Sequence, residues 1–149
     1  VTAELLDVGP DDVETVCVSW LKPLQADGQV AHIRPLGAPL PFVLVHALPG
    51  NECVEEGTVD ELVSIHTLCD KGDGSAAAIR AARDEADRTH RRMLLLATYL
   101  EDVPLPGGRT ASIDYVDVSG RPAWKEYGDD QILRKVGTYR IGLSYAKMS

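Results

Sequence analysis

Ser75–Glu101, SAAAIRAARDEADRTHRRMLLLATYLE, decides how the remainder of this 149-residue chain is read. Ile79, Ala82, Ala86, His90, Met93, Ala97 and Leu100 recur at intervals of three and four, which places them on one face of a helix. Ser75 supplies a side-chain oxygen for the first turn. The opposite face carries Arg80, Asp84, Asp87, Arg88 and Arg91. At about 1.5 Å per residue the helix spans roughly 35 to 40 Å, the width of a small domain. A helix with that reach and a single apolar stripe has to lie across a sheet, so the flanking segments are expected to be the strands it covers.

Working toward the N-terminus, Leu62–Leu68 (LVSIHTL) alternates as a strand, with Val63, Ile65 and Thr67 on one side and Leu62, Ser64, His66 and Leu68 on the other. Phe42–Leu48 (FVLVHAL) is apolar almost throughout, the mark of a strand covered on both faces, and is expected to form the centre of the sheet. Between them, residues 49–61 carry Glu52, Glu55, Glu56, Asp60 and Glu61 without a basic residue and are expected to form a loop or solvated hairpin tip. Val30–Arg34 fits a short strand ended by Pro35, and Leu36–Pro41, with its prolines, fits a connection or edge arm. Gly9-Pro10 and a capping box formed by Asp11 and Glu14 introduce a first helix. Its apolar face is Val13, Val16, Cys17, Trp20, Leu21 and Leu24, and Pro23 ends it.

Toward the C-terminus, Arg109–Ser119 alternates and then changes phase near Tyr115, which predicts a bulge. Residues 120–131 (GRPAWKEYGDDQ) are polar and turn-rich and fit a loop that exposes Trp124 and Tyr127. In Ile132–Ala146, Leu133, Tyr139, Ile141, Leu143 and Tyr145 lie on one face of a closing strand. The expected order is α-β-β-β-α-β-β, a single α+β domain over residues 1–149, with two helices on one face of a mainly antiparallel or mixed sheet of four to five strands.

Three cysteines without framework spacing are expected to be reduced thiols. No apolar run approaches the roughly 18 residues of a membrane span, and the opening VTAELLDVGPDD lacks the features of a signal peptide, so a soluble, non-exported protein is expected. The formal charge of −8 argues against a sequence-reading nucleic-acid binder. It is unevenly spread: residues 1–74 carry 13 acidic and 3 basic side chains, and residues 75–149 carry 10 and 12. Such a dipolar chain is suited to mating its acidic part with the basic part of a neighbouring copy, unless the halves interleave on folding.

Catalytic and metal signatures are weak. His66 and Cys69, with Cys53 upstream, come nearest to a ligand set, but residues three apart in a strand point to opposite faces. His46 and His66 could face one another from neighbouring strands as a pH-sensitive pair or be satisfied near a core. No nucleophile elbow, paired-histidine helix, C-x-x-C or P-loop is present.

Taken together, the Trp-containing first helix, FVLVHAL, LVSIHTLCD, AARDEADRTHRRM, SIDYVDV and the ending WKEYGDDQILRKVGTYRIGLSYA resemble the tail terminator proteins of long-tailed actinobacterial phages, over Asp11–Ala146. The resemblance implies a non-enzymatic α+β virion subunit without a cofactor. It would form a hexameric ring on the head-proximal end of the tail tube, stop tube growth and offer an attachment surface to the head. The partners implied are other copies of the chain, the tail tube protein and a head-tail connector or head-completion protein. DNA would pass through the lumen without specific binding, and no membrane is involved. Within that frame Trp124, Tyr127 and Arg134 are candidates for the contact with a neighbour or the tube end, and Glu52, Glu55 and Glu56 for an acidic lumen or rim. Other neck or tail components, and a small ligand- or metal-binding enzyme using His46 and His66, are the alternatives.

Overall fold

The structure, a computed structural model, describes residues 8–147; the N-terminal segment read above for export signals lies largely outside them. A two-residue strand β1 (Val8–Gly9) precedes helix α1 (Val13–Leu21), which runs into a single 3-10 turn at Lys22–Leu24. Then come β2 (Val30–Ala31), β3 (Phe42–Cys53), β4 (Thr58–Asp70) and the long helix α2 (Ala76–Tyr99). The two-residue strands β5 (Val103–Pro104) and β6 (Thr110–Ala111) lead into β7 (Ile113–Lys125), β8 (Ile132–Ser144) and a last short strand, β9 (Ala146–Lys147). The α-β-β-β-α-β-β skeleton is present, with the short pairs β1–β9 and β5–β6 added to it.

Ser75 caps α2 by accepting from the Ala78 N–H at 3.2 Å, and Leu100 closes it in the left-handed conformation. The cap of α1 is Asp12, whose carboxylate accepts from the Thr15 N–H at 3.1 Å, and not Asp11. Asp11 instead is buried and pairs with Arg109, so its charge is spent in tying the start of α1 to the segment before β7.

The main sheet has five strands in the order β2-β3-β4-β8-β7, antiparallel except for the short β2–β3 pair. Its centre is therefore β4, not the FVLVHAL segment. That run is apolar because Phe42–Val45 are buried on both faces at one end of the sheet; from His46 onward the same strand is exposed. β7 is the far edge and is longer than expected, running through Trp124. Irregular register follows Ile113, Val118 and Gly120, which lets an edge strand absorb Gly120 and Pro122, residues that read as a turn.

Both helices pack on one face. Val13, Val16, Trp20 and Leu21 of α1 and Met93 and Leu96 of α2 share a core with Val43, Val45, Val63, Ile65, Tyr139 and Ile141 of the sheet. The helices also clasp each other: the Trp20 indole N–H donates to the Arg92 carbonyl at 2.8 Å, and Arg92 Nε donates to the Trp20 carbonyl at 2.9 Å. The Arg92 guanidinium lies 3.8 Å from the Trp20 ring centroid. His90, inside the α2 stripe, meets the Tyr139 hydroxyl at 2.6 Å through Nδ1. The outer face of the sheet carries a second, smaller core of Phe42, Leu44 and Leu68, covered by Ala38 and Leu40 of the arm after β2 and by Tyr127. Among the described residues no helix is long and apolar enough to cross a membrane.

Candidate functional site

The candidate residues fall at the two ends of the sheet. From Thr58 to Asp70 strand β4 runs roughly 40 Å at about 3.3 Å per residue, and this distance separates the acidic group from the aromatic one.

At the first end β3 and β4 continue as a hairpin past a register break between Leu48 and Asn51, so the segment expected to be a loop is mostly strand. The connection narrows to the turn Val54–Gly57, where the Gly57 N–H donates to the Val54 carbonyl at 3.2 Å. Gly57 sits at φ 66°, a conformation that glycine adopts without a Cβ penalty. Glu55 and Glu56 occupy the two central positions and are exposed, as is Glu52, which accepts a hydrogen bond from the Tyr145 hydroxyl. That bond to a carboxylate pushes the Tyr145 phenol up to about 12. Inward from the turn, Asp60 accepts from the Tyr115 hydroxyl at 2.5 Å and pairs with Arg140 at 2.7 Å. Glu61 is held above the ordinary carboxylate range by burial and by the neighbouring charges of Asp12, Glu52 and Asp60. Negative charge is concentrated here, and Arg140 is already committed to Asp60.

At the other end the three predicted contact residues lie close together but differ in exposure. Trp124 stands on β7, not in a loop; it is 41% exposed and lies 5.0 Å from Lys135 Nζ. Tyr127 is half-buried against Phe42, Leu44 and Leu68, so most of its ring belongs to the outer core and not to a free surface. Arg134 lies on β8 over the Tyr127 ring, 5.4 Å from its centroid, and donates to the Glu126 carbonyl; its Nε is buried without a partner. Trp124, Tyr127, Arg134 and Lys71 line one open depression of about 440 Å³. The structure thus brings the three together, with Trp124 as the accessible member.

Between the ends, on the outer face, His46 and His66 meet edge to face with ring centroids 5.1 Å apart. His66 Nε2 bonds the Ser64 hydroxyl at 3.0 Å, while its Nδ1 is buried without a partner. Burial first, then His46, Arg134 and Lys125, lower its pKa to about 4, so the ring is neutral at pH 7. β4 continues through Cys69 to Asp70, which puts Cys69 on the helix side, away from His66. Burial raises the thiols of Cys17 and Cys69 to about 12, the state of inert core cysteines, whereas Cys53 is exposed beside the acidic turn. Among the described residues no three His, Cys, Asp or Glu side chains gather where they could hold a metal ion.

Sequence reasoning missed the Asp60–Tyr115–Arg140 cluster, whose members come from three strands. The phase change at Tyr115 was its only trace: the bulge turns the Tyr115 ring over Gly142, where a Cβ would overlap it, and so brings the hydroxyl to Asp60. No protein-family model matches the chain, and no curated protein is significantly similar to it in sequence.

Proposed function

We propose that the protein is a self-assembling structural subunit of a phage tail, a tail terminator whose copies close into a ring at the head-proximal end of the tail tube. It would act in the virion neck after assembly in the host cytoplasm, with the tail tube protein and a head connector or head-completion protein as partners. The observation that carries this reading is the placement of two chemically different, exposed surfaces at opposite ends of one rigid sheet. A subunit with non-identical, complementary surfaces associates heterologously, and such contacts form rings when the rotation closes.

Two further features support it. The small α+β fold is the kind the resemblance implies. The sheet edges are also guarded against simple strand addition: β7 is broken by irregular register and contains Pro122, and the Ala47 N–H of β3 is occupied by the Glu14 carboxylate at 2.9 Å. Contacts between copies then fall to side chains at the ends, where Trp124 and the Glu52, Glu55, Glu56 group are exposed. Display of those glutamates on a projecting turn favours a rim position for them over the wall of a lumen.

Negative-stain imaging and mass determination of the purified protein, alone and mixed with isolated tail tubes, test the reading. Closed rings, or added density capping one tube end, are expected. Open filaments would favour a tube subunit instead, and a monomer that ignores tubes would end the proposal.

A further inference from the structure

On the helix side of the sheet, between α2 and the ends of β7 and β8, lies a recess of about 310 Å³ lined by Arg83, Asp84, Asp87, His90, Arg121 and Lys135. Arg83, Arg121 and Lys135 take part in none of the ion pairs among the described residues. Asp87 is committed to Arg91 at 2.8 Å, which leaves Asp84 as the carboxylate that offsets them. The recess therefore offers a surplus of two positive charges.

His90 is buried, 7% exposed, and its Nδ1 is taken by the Tyr139 hydroxyl at 2.6 Å. Burial raises the Tyr139 phenol and keeps it protonated, so this bond joins two neutral groups, one of them the ring that lines the recess. Burial and the nearby Arg121 lower the His90 pKa, so the arginines and the lysine carry the charge of the recess.

The acidic turn presents the converse: two adjacent exposed carboxylates, Glu55 and Glu56, with no hydrogen bond or ion pair to a described residue, preceded by Val54, 57% exposed. The turn cannot reach the recess of its own chain. Lys135 pairs in register with Thr67, which lies about 30 Å along β4 from Thr58 beside the turn.

We infer that Glu55 and Glu56 of one copy seat in the Arg83–Arg121–Lys135 recess of a second copy, with Val54 against the neighbouring Trp124. This deepens the reading of the chain as a ring subunit and rests on it. The number of incoming carboxylates matches the charge surplus. Trp124, whose ring neighbours Lys135, supplies an exposed apolar surface beside the cations of the kind that anchors interfaces. Because turn and recess are different surfaces on each copy, every subunit keeps one of each for its neighbours, as a heterologous chain of contacts requires.

A charge-swap pair tests the contact by sedimentation over a concentration series at low salt. Glu55→Lys/Glu56→Lys and Arg83→Glu/Arg121→Glu, each alone, place like charges face to face and are expected to weaken self-association by about 100-fold or more. Mixed in equal amounts they are complementary again, and association should return, which folded subunits alone can achieve. Either variant assembling like the unmodified protein, or a mixture that fails to recover, overturns the contact. Rings insensitive to both variants would overturn the contact and leave the ring reading standing. Filaments abolished by both would do the reverse. An unmodified protein that stays monomeric at every concentration and on tubes would overturn both.

Discussion

The two ends of the main sheet are made from the same strands and have opposite physical characters. At the Phe42 end the sheet is the middle layer of three: α2 lies on one face, and the arm after β2 with Tyr127 lies on the other. At the hairpin end β3 runs on past the core and residues 48–56 are exposed, while Val59 of β4 still belongs to the core. A continuous apolar run such as Phe42–Val45 therefore reports cover on both faces at one place along a strand, not a central position in the sheet. The difference also divides labour, since the clamped end fixes the orientation of the whole sheet and the free end is left to present a charged turn.

The largest expected effect comes from truncating the clamped end. Phe42→Ala is expected to cost about 3 to 5 kcal/mol, measured by urea unfolding, because its side chain is fully buried between the arm and the sheet. Val54→Ala, at the free end of the same hairpin, should stay within about 0.5 kcal/mol. A loss below about 1 kcal/mol for Phe42→Ala would mean that the arm is no true second layer.

Legibility followed the same division. The α2 stripe was visible because its period is carried by one continuous segment, and the alternation of β8 assigned Tyr139 and Ile141 to the buried face, where they lie; in β4 it separated the Val63–Ile65 side from the His66 side without showing which one meets the helices. The second layer was not visible, because Ala38 and Leu40 sit in a proline-rich arm without a period and are apolar for contacts made across the sheet. Trp124 reads as a loop residue from sequence because Gly120 and Pro122 are turn residues anywhere except on a bulged edge strand, where no ladder partner is lost. Of the candidate residues, the exposure of Glu52, Glu55 and Glu56 followed from a run of acids without cations. The recess did not, since Arg83, Arg121 and Lys135 come from three separate elements.

The outer face of the sheet also responds to pH. His66 belongs to the outer face, where Leu44 and Val136 flank it in register and His46, Arg134 and Lys125 are the charged or titratable groups around it. Its pKa falls from 6.5 unfolded to about 4 folded, so the unfolded chain binds a proton that the native state refuses. Stability is unaffected above about pH 6.5, declines as pH falls through that value and stops declining on this account below about pH 4. At 1.36 kcal/mol per unit the loss is bounded at about 3 kcal/mol, and solvent screening of the ring makes it smaller. His66→Gln should remove this component, seen as a flatter stability profile between pH 7 and 4 than that of the unmodified protein. Profiles of equal slope would mean that water reaches Nδ1 and protonation is not opposed.

Within the clamped end, Trp124→Ala has the smallest expected effect on folding and separates the uses of that end. The ring is 41% exposed, and its contact with Lys135 is a cation–π interaction, worth about 0.5 to 1 kcal/mol at an exposed site. Its removal should therefore cost no more than about 1 kcal/mol in urea unfolding while reducing assembly into rings or onto tube ends. Tyr127→Ala, by contrast, strips cover from Phe42, Leu44 and Leu68 and should lower stability and assembly together. If Trp124→Ala instead unfolds the subunit as readily as Phe42→Ala, the tryptophan holds the end of the sheet together, and the accessible aromatic surface assigned to the interface disappears with it.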